Sequence, residues 1–320
     1  MPCCCGAGRV GVAEPVGSRA WRGPVLVTGA GSGIGLATVQ ALLAAGVPVF
    51  AAARRAEHLQ HLQSLGAKAL ALDVRDAAQV AAAAVQVQAA GQGLFGLVHN
   101  AGVGGIGLLP SWPDADVQAL FDTNVFGPHR LTNALLPLLL QSRGRIVCIG
   151  SQGGSVTMPF MGPYTMSKHA LEAYAACLRL ELAPHGVAVS IVQPGAVKTD
   201  IGDNGRAGNE ARLQATPAPF DETAHAALQG LQNPAAPRPQ EPESAHNRRH
   251  AEPAAVAATV LQALGEDLPR ARYLFGTRWE GDRVIAALTD RLLDAARSPS
   301  HQWDEETFLA HCRQAWRAGG

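Results

Sequence analysis

The sequence predicts an α/β protein built on a doubly wound parallel sheet, and two observations carry that prediction. Short apolar, β-branched runs alternate along the chain with longer segments that repeat apolar residues at helical spacing. The short runs are apolar throughout, as expected of strands buried on both faces. Such a sheet needs helices over both faces, and the intervening segments supply them. Because no internal repeat is visible, we predict a single domain over residues 23–320.

The first half of the chain alternates strand and helix in regular order. Two of the predicted helices carry clear end signals, a glycine at Gly46 that closes the first and an N-capping Asp76 that opens the third. Strands are predicted at 24–28, 47–52, 67–74 and 93–102, and helices at 33–46, 55–66, 76–89, 114–124 and 127–141.

The second half continues the pattern after one long interruption. Residues 202–252 are rich in Pro, Gly, Asn and charge, with a short helix predicted near 221–232. Since a strand still follows, this segment is an excursion within the domain, and we expect it to form a mobile lid over the substrate. Further strands are predicted at 144–151, 186–195 and 271–276, and helices at 163–183, 253–265, 282–297 and 303–317.

Composition narrows the classes of function. Hydrophobic residues make up 47% of the chain and charged residues 16%, which allows a large buried core. Lys plus Arg and Asp plus Glu both number 26, so the formal net charge of zero gives no indication of a nucleic-acid partner or an anionic membrane surface. The six cysteines lack zinc-type spacing, so we predict no metal site and a reducing, cytoplasmic setting. The richest apolar run, 134–140, is too short to cross a membrane.

Residues 1–22 differ from the rest of the chain. They show no periodicity and are rich in glycine and other small residues, so we predict a disordered tail. They also lack the sustained apolar core of a secretory signal. The adjacent Cys3, Cys4 and Cys5 leave acylation or metal binding open as alternative roles.

A glycine-rich turn follows the first predicted strand. The stretch TGAGSGIG, residues 28–35, leads directly into the first helix. Glycines at this junction let backbone N–H groups approach a pyrophosphate, with the helix N-terminus behind them. The spacing is a variant of the usual dinucleotide fingerprint, and it predicts nucleotide binding. The cofactor-binding residues predicted in this turn are Gly29, Ser32, Gly33, Ile34 and Gly35.

The end of the second strand indicates which dinucleotide binds. NAD enzymes usually place an acidic residue there, but this chain has Ala53 followed by Arg54 and Arg55. Arginine can bind a 2′-phosphate that a carboxylate would repel, so we predict NADP(H). The alternative is that both arginines only solvate a helix start. Asp73, after the third strand, is expected to bond the adenine amino group or to cap the next helix.

A tyrosine and a lysine lie four residues apart in YTMSKHA, residues 164–170. On a helix, Tyr164 and Lys168 share one face, and the ammonium is expected to lower the pKa of the phenol. Taken alone, the pair could also be ordinary helix surface. Ser151 ends the fifth strand and Asn124 ends the helical segment LFDTNVFG, where each could serve as a polar cap.

In this order, the motifs resemble the short-chain dehydrogenase/reductase family, most closely its branch acting on steroids, retinoids and other apolar alcohols. The resemblance covers about residues 24–201 and continues in RYLFGTRWEGDRVIAALTDRLLD. It implies a Rossmann-like fold, with Tyr164 as general acid/base and Lys168 bonded to the nicotinamide ribose. It also implies that Ser151 bonds the substrate oxygen and that Asn124 holds a water linked to the lysine. The motifs that carry the resemblance are TGAGSGIG, LDV, HNAG, LFDTNVFG, Ser151, YTMSK and PGAVKT.

The same resemblance implies further contacts. Val197 and Thr199 in PGAVKT are expected to meet the nicotinamide carboxamide, and Asn100 in HNAG to fix the sheet beside the cofactor. The helices near 114–141 and 163–183 form subunit contacts in the family, so a homo-oligomer is expected.

Apolar residues on two loops predict the substrate class. They flank the predicted reaction centre and suggest an apolar pocket, although about half of them are expected only to pack the loops down. No arginine cluster is visible that would bind a phosphate or carboxylate. We therefore predict an NADP(H)-dependent oxidoreductase acting on a small hydrophobic alcohol, ketone or aldehyde. The apolar loop residues on which this prediction depends are Leu108, Leu109, Trp112, Met158, Phe160 and Met161.

Two alternatives stay open at this point. One is epimerisation or dehydration on the same fold, which would form product without net cofactor turnover. The other is a cofactor-bound scaffold or sensor. The intact set of Ser151, Tyr164 and Lys168 argues against the second, because a sensor need not retain a proton donor.

Overall fold

A computed structural model describes residues 21–199, 205–233, 238–245 and 247–318. The predicted N-terminal tail therefore lies outside the described residues, except for its last two. Of these, Trp21 packs against the apolar core, so the folded part begins earlier than residue 23.

Seven parallel strands form one sheet, which confirms the predicted fold class. Their order across the sheet is β3-β2-β1-β4-β5-β6-β7, so the chain reverses its direction of travel between β1 and β4. In open α/β sheets a ligand crevice lies outside the carboxyl ends of the strands at this reversal. The strands are β1 (Val25–Val27), β2 (Val49–Ala53), β3 (Lys68–Ala71), β4 (Gly96–His99), β5 (Arg145–Ile149), β6 (Ala188–Pro194) and β7 (Arg272–Phe275).

Helices cover both faces of the sheet and bury an apolar cluster on each. One cluster includes Leu97 and Leu135, and the other includes Val39 and Val260. The helices of the main fold are α1 (Gly33–Ala44), α2 (Ala56–Ser64), α3 (Ala77–Ala89), α4 (Asp114–Phe121), α5 (Gly127–Ser142) and α6 (Gly162–Leu182). They are followed by α7 (Arg206–Gln214), α8 (Asp221–Gln232), α9 (Pro253–Gly265), α10 (Arg278–Ala296) and α11 (Glu305–Ala318).

The junction between α4 and α5 differs from the prediction. The two helices are joined by a π-helical turn, Asp122–Phe126, rather than separated by a break. Asn124 therefore lies inside this turn and does not end a helix. Single π-helical turns within α-helices are frequent at functional sites, because the extra residue redirects side chains.

The described parts of the excursion after β6 contain more helix than its composition predicts. Helix α8 lies at the predicted position, but α7 was predicted as irregular chain. The two helices share a small apolar cluster of Leu213, Ala224 and Leu228, with Ile106 packed against it. Tertiary packing of this cluster outweighs the low helix propensity of the glycine and asparagine in α7.

Helix α10 begins at Arg278, four residues before its predicted start. Thr277 caps it, and the Glu280 side chain returns to the Thr277 backbone N–H in a capping box. The sequence TRWE contained this signal. Within the described part of the chain, none of the helices has the length and apolarity required to cross a bilayer.

Candidate active site

One cavity of about 650 Å³ follows the carboxyl edge of the sheet. It collects nearly all of the predicted site residues from segments far apart in the chain, while Gly35 and Asn124 lie behind its wall. The predicted residues that line it are Gly29, Ser32, Gly33, Ile34, Arg54, Arg55, Asp73, Asn100, Ser151, Tyr164, Lys168, Val197 and Thr199.

The glycine turn between β1 and α1 forms one end of this cavity. Gly29 and Gly33 have φ values of +62° and +53°, in the left-handed region that favours glycine. A Cβ on Gly35 would clash with the Gly29 carbonyl and with the Asn100 amide. Asn100 Nδ2 donates to the carbonyl oxygens of Thr28 (2.9 Å) and Gly29 (3.0 Å). The turn is thus held close to β4, with the N-cap residue Ser32 on the cavity wall.

Two arginines follow β2 at the same end. The side chain of Arg54 is 62% exposed, and its Nη1 lies 3.7 Å from Asp73 Oδ2. Arg75 binds the same carboxylate more closely, at 2.6 Å, and its hydrogen bonds hold the pKa of Asp73 at about 2. Asp73 does not cap α3, because Asp76 accepts hydrogen bonds from the first-turn backbone N–H groups.

His58 also belongs to this end, although the sequence analysis did not identify it. A Cβ on Gly31 would occupy the place of the His58 ring, so the imidazole covers the glycine turn. Arg55, three residues earlier on the same helical face, contacts His58 Nε2. The spacing of three residues between Arg55 and His58 at the start of α2 was the only available signal.

Tyr164 and Lys168 lie on the first turns of α6, as predicted. Lys168 Nζ donates to the Ile149 carbonyl oxygen at 2.9 Å and lies 5.8 Å from the centroid of the Tyr164 ring. Burial lowers the pKa of Lys168 to about 8. Ser151, at the end of β5, shares a side-chain hydrogen bond with Tyr164.

The predicted pKa shift of Tyr164 is wrong for the chain without cofactor. Burial raises the pKa of this phenol, and the hydrogen bond with Ser151 opposes the shift without reversing it. Removal of the ring from water penalises the phenolate, which explains the difference. Tyr164 is therefore protonated at neutral pH.

Asn124 connects the π-helical turn to the segment after β4. Its Oδ1 accepts from the Val103 backbone N–H, and its Nδ2 donates to the Val103 carbonyl, both at 2.9 Å. Nδ2 also donates to Ser167 Oγ on α6 at 3.0 Å. Asn124 is 1% exposed and fixes the backbone beside Lys168. Its expected role in holding a water stays a prediction.

The far end of the cavity contains charged residues that the sequence analysis did not bring together. Arg248 and His250 come from the end of the excursion, and Glu280 and Arg283 from α10. Two arginines, Arg248 and Arg283, contribute to this wall, which the expectation of no arginine cluster for a phosphate or carboxylate did not take into account. Arg248 is paired with the buried Glu280. The sequence separates these residues by about thirty positions, so only the fold shows their proximity.

The apolar part of the wall agrees only partly with the predicted residues. Met158 and Met161 line the cavity, whereas Phe160 and Leu108 pack against the α7–α8 cluster. Leu109 is 51% exposed. Trp112 is buried under the guanidinium of Arg212, which lies 3.9 Å from the centroid of the Trp112 ring. Additional apolar lining comes from Val103, Ile106, Val156 and Val284.

Comparison with known proteins matches this chain to one family and to related oxidoreductases and dehydrogenases. The family described as short chain dehydrogenase matches residues 24–210. The uncharacterized oxidoreductase YbbO of Escherichia coli is 38% identical over 182 residues, which span 56% of this chain and 68% of YbbO. Retinol dehydrogenase 5 of Mus musculus is 40% identical over 183 residues, spanning 55% and 57% of the two chains. The latter match agrees with a resemblance to the steroid and retinoid branch.

Two solved structures extend the similarity beyond the matched half. A short-chain dehydrogenase from Streptomyces avermitilis aligns with a TM-score of 0.68 and 30% identity, over 93% of this chain and 98% of that one. A single-residue variant of actinorhodin polyketide ketoreductase, solved with NADPH, aligns with a TM-score of 0.61 and 29% identity, over 79% and 94%.

Proposed function

This chain belongs to the short-chain dehydrogenase family, and we propose that it is an NADP(H)-dependent oxidoreductase interconverting a hydrophobic alcohol and its carbonyl compound. The observation that supports this most strongly is the shared cavity. Ser151, Tyr164 and Lys168 face the same space as the glycine turn and Arg54. A proton donor and a dinucleotide cradle on one wall are what carbonyl reduction requires.

The cofactor assignment rests on the fit of the chain to each part of NADP(H). The glycine turn offers the backbone approach that a pyrophosphate needs, and its shape depends on Gly29 and Gly35, where a Cβ would collide with Ala101 or with the Gly29 carbonyl. Arg54 and Arg55 would hold the 2′-phosphate, and Val197 and Thr199 the carboxamide. The similarity to a ketoreductase solved with NADPH supports the same choice. When bound, the nicotinamide exchanges a hydride with the substrate carbon.

Side chains of this protein would carry out the proton transfer. Tyr164, protonated at neutral pH, donates its proton to the carbonyl oxygen of the substrate. Ser151 bonds the same oxygen and keeps it within reach of the phenol, to which it is already hydrogen bonded. Lys168, cationic below about pH 8, stabilises the phenolate that remains.

The apolar wall supports a hydrophobic substrate. Met158, Met161, Val156 and Ile106 line the same cavity as Tyr164. The test is a screen of steroids, retinoids, fatty aldehydes and aromatic ketones, followed by NADPH absorbance. Turnover of at least one class above the rate without enzyme is expected. Product formation without net NADPH consumption would instead indicate epimerisation or dehydration, and tight NADPH binding without any turnover would indicate a sensor.

We also propose that the protein forms a homo-oligomer. Large apolar side chains are exposed on the π-helical turn and on α6, the elements expected to form subunit contacts. Phe126 is 49% exposed, Met166 46% and Leu180 77%. Covering them in a second subunit would remove this apolar surface from water.

The rate of carbonyl reduction should be constant near neutral pH and fall above about pH 8. Lys168 keeps its proton below its lowered pKa of about 8 and loses it above that value. Tyr164 retains its proton over the same range, because burial raises the pKa of the phenol. As the pH rises, Lys168 therefore loses its charge before Tyr164 loses its proton. Measuring kcat for reduction across this range tests the assignment, and a profile that stays constant well into the alkaline range would contradict it.

The Arg54→Ala substitution should weaken NADPH binding by about 10–100-fold and leave NADH binding nearly unchanged. A hydrogen bond to a charged group contributes about 1.5–3 kcal/mol, which corresponds to that factor in affinity. NADH has no phosphate for the guanidinium to bind. Fluorescence titration of both cofactors against wild type and variant measures the difference.

A control and a salt series complete this test. Arg278→Ala, at the exposed start of α10, should change neither affinity, because its side chain is 95% exposed and lies outside the cavity. Added salt should weaken NADPH more than NADH, because an exposed charge pair is screened. Equal affinity of wild type for the two cofactors would mean that Arg54 and Arg55 only form an exposed, charged surface at the start of α2.

A further inference from the structure

Glu280 is a buried carboxylate that does more than complete the capping box of α10. It lies in the first turn of α10, is 2% exposed, and lines the same cavity as Tyr164. A carboxylate removed from water is costly unless hydrogen bonds and an opposite charge compensate it. An apolar residue of similar size would cost less free energy to bury. The contacts of the Glu280 carboxylate therefore indicate what this residue contributes.

Those contacts hold the loop that follows β6. Glu280 Oε1 accepts a hydrogen bond from the Ala196 backbone N–H at 2.8 Å. The other oxygen, Oε2, accepts from the Thr277 N–H at 3.2 Å. A Cβ on Gly195 would collide with the carboxylate, so the loop backbone passes directly against it. Glu280 thus holds the backbone of Ala196, the residue next to Val197 on the cavity wall.

Arg248 adds a third segment to this arrangement. It lies where the excursion returns to the sheet, and its guanidinium bonds to Glu280 Oε1. The next residues continue alongside the loop after β6, where Ala251 N–H donates to the Ala196 carbonyl oxygen at 2.9 Å. The carboxylate therefore joins the loop, the end of the excursion and α10 at one point.

We propose that Glu280 is a positioning residue for the cofactor loop, residues 194–199, and that Arg248 makes this positioning depend on the excursion. The proposal rests on the proposed function, which assigns Val197 and Thr199 to the nicotinamide carboxamide. Glu280 touches neither cofactor nor substrate in this role. It acts through Ala196, whose N–H it holds.

The first experiment measures the loop itself, without cofactor. Hydrogen–deuterium exchange of the peptide covering 194–199 should become about 10-fold faster or more in Glu280→Ala, because the Ala196 N–H loses its acceptor. Arg248→Met should accelerate it less, since the acceptor remains but its partner charge is lost. Arg248→Lys should restore slow exchange. Unchanged exchange in a folded Glu280→Ala protein would overturn the proposal.

The second experiment measures cofactor affinity on the same variants. The Kd for NADPH should rise about 10-fold in Glu280→Ala and less in Glu280→Gln, whose amide oxygen still accepts from Ala196. Glu266→Gln is the matched control, because Glu266 is a half-buried carboxylate bonded to Tyr273 outside the cavity. It should lower the melting temperature without changing loop exchange or NADPH affinity.

The outcomes separate the two proposals. If wild type does not bind NADPH, the proposed function fails, whatever the exchange data show. If wild type binds NADPH and the variants exchange faster but bind it equally well, the positioning role is wrong. If Glu280→Ala does not fold, Glu280→Gln and Arg248→Met decide the matter by the same two measurements.

Discussion

The Tyr164→Phe variant is expected to lose about 10²–10⁴-fold in kcat for carbonyl reduction while binding NADPH as tightly as wild type. Only the hydroxyl group is removed, and the ring keeps its packing at the start of α6. The substrate oxygen then lacks its proton donor, because Ser151 is a far weaker acid. The glycine turn and Arg54, which would hold the pyrophosphate and the 2′-phosphate, lie on other segments of the cavity wall, so NADPH affinity is unaffected.

The comparison needs a second tyrosine from the same helix. Tyr174→Phe removes a hydroxyl group ten residues further along α6, outside the cavity. It should keep wild-type kcat. Steady-state kinetics on the best substrate from the screen, together with NADPH titration, measure both variants. If Tyr164→Phe keeps more than half of the wild-type kcat, proton transfer by this residue is excluded.

The Lys168→Met variant should lose a similar factor in activity but gain stability at neutral pH. Burial lowers the lysine pKa from 10.5 to about 8. At about 1.4 kcal/mol per pKa unit, the folded state loses about 3 kcal/mol by holding this charge. Methionine removes the charge with little change in shape, although the Ile149 carbonyl oxygen then loses its donor. A net gain of about 1–2 kcal/mol remains after that loss.

The gain should also depend on pH in a defined direction. Because the folded pKa is lower than the unfolded one, the unfolded chain binds more protons between about pH 8 and 10.5, and wild-type stability from this group rises through that window. The advantage of Lys168→Met is therefore complete below about pH 8 and disappears near pH 10.5. Denaturant unfolding of both proteins across this range measures it, with Lys68→Met, an exposed lysine, as the control. A variant that is less stable than wild type at every pH would refute the argument.

Local patterns were sufficient to predict the sheet and most of the residues that line the candidate site. Strands such as Val25–Val27 and Arg145–Ile149 are apolar and short, and parallel order follows from the helices between them. Because the carboxyl ends of parallel strands lie on one edge, Ser151 and Asn100 had to lie near the glycine turn. The i, i+4 spacing of Tyr164 and Lys168 required only a helix.

Features that depend on distant packing could not be predicted in this way. Helix α7 packs against α8 across the excursion, and this contact stabilises a helix that contains a glycine and an asparagine. The pairing of Arg248 with Glu280 joins segments whose order in the sequence gives no indication of contact. The direction of the Tyr164 pKa shift depends on burial, which is not visible in spacing alone.

The π-helical turn at Asp122–Phe126 makes chain length, and not only residue type, a determinant of this site. The turn contains one residue more than an α-helical turn would. Removing any single residue from it would allow α4 and α5 to merge into one regular helix. Each residue advances an α-helix by about 100°, so α4 would rotate by that amount relative to α5. Asn124 would then leave Val103, and the backbone beside Lys168 would lose its support. A deletion here is therefore equivalent in effect to a substitution of Asn124, even when the asparagine itself is retained.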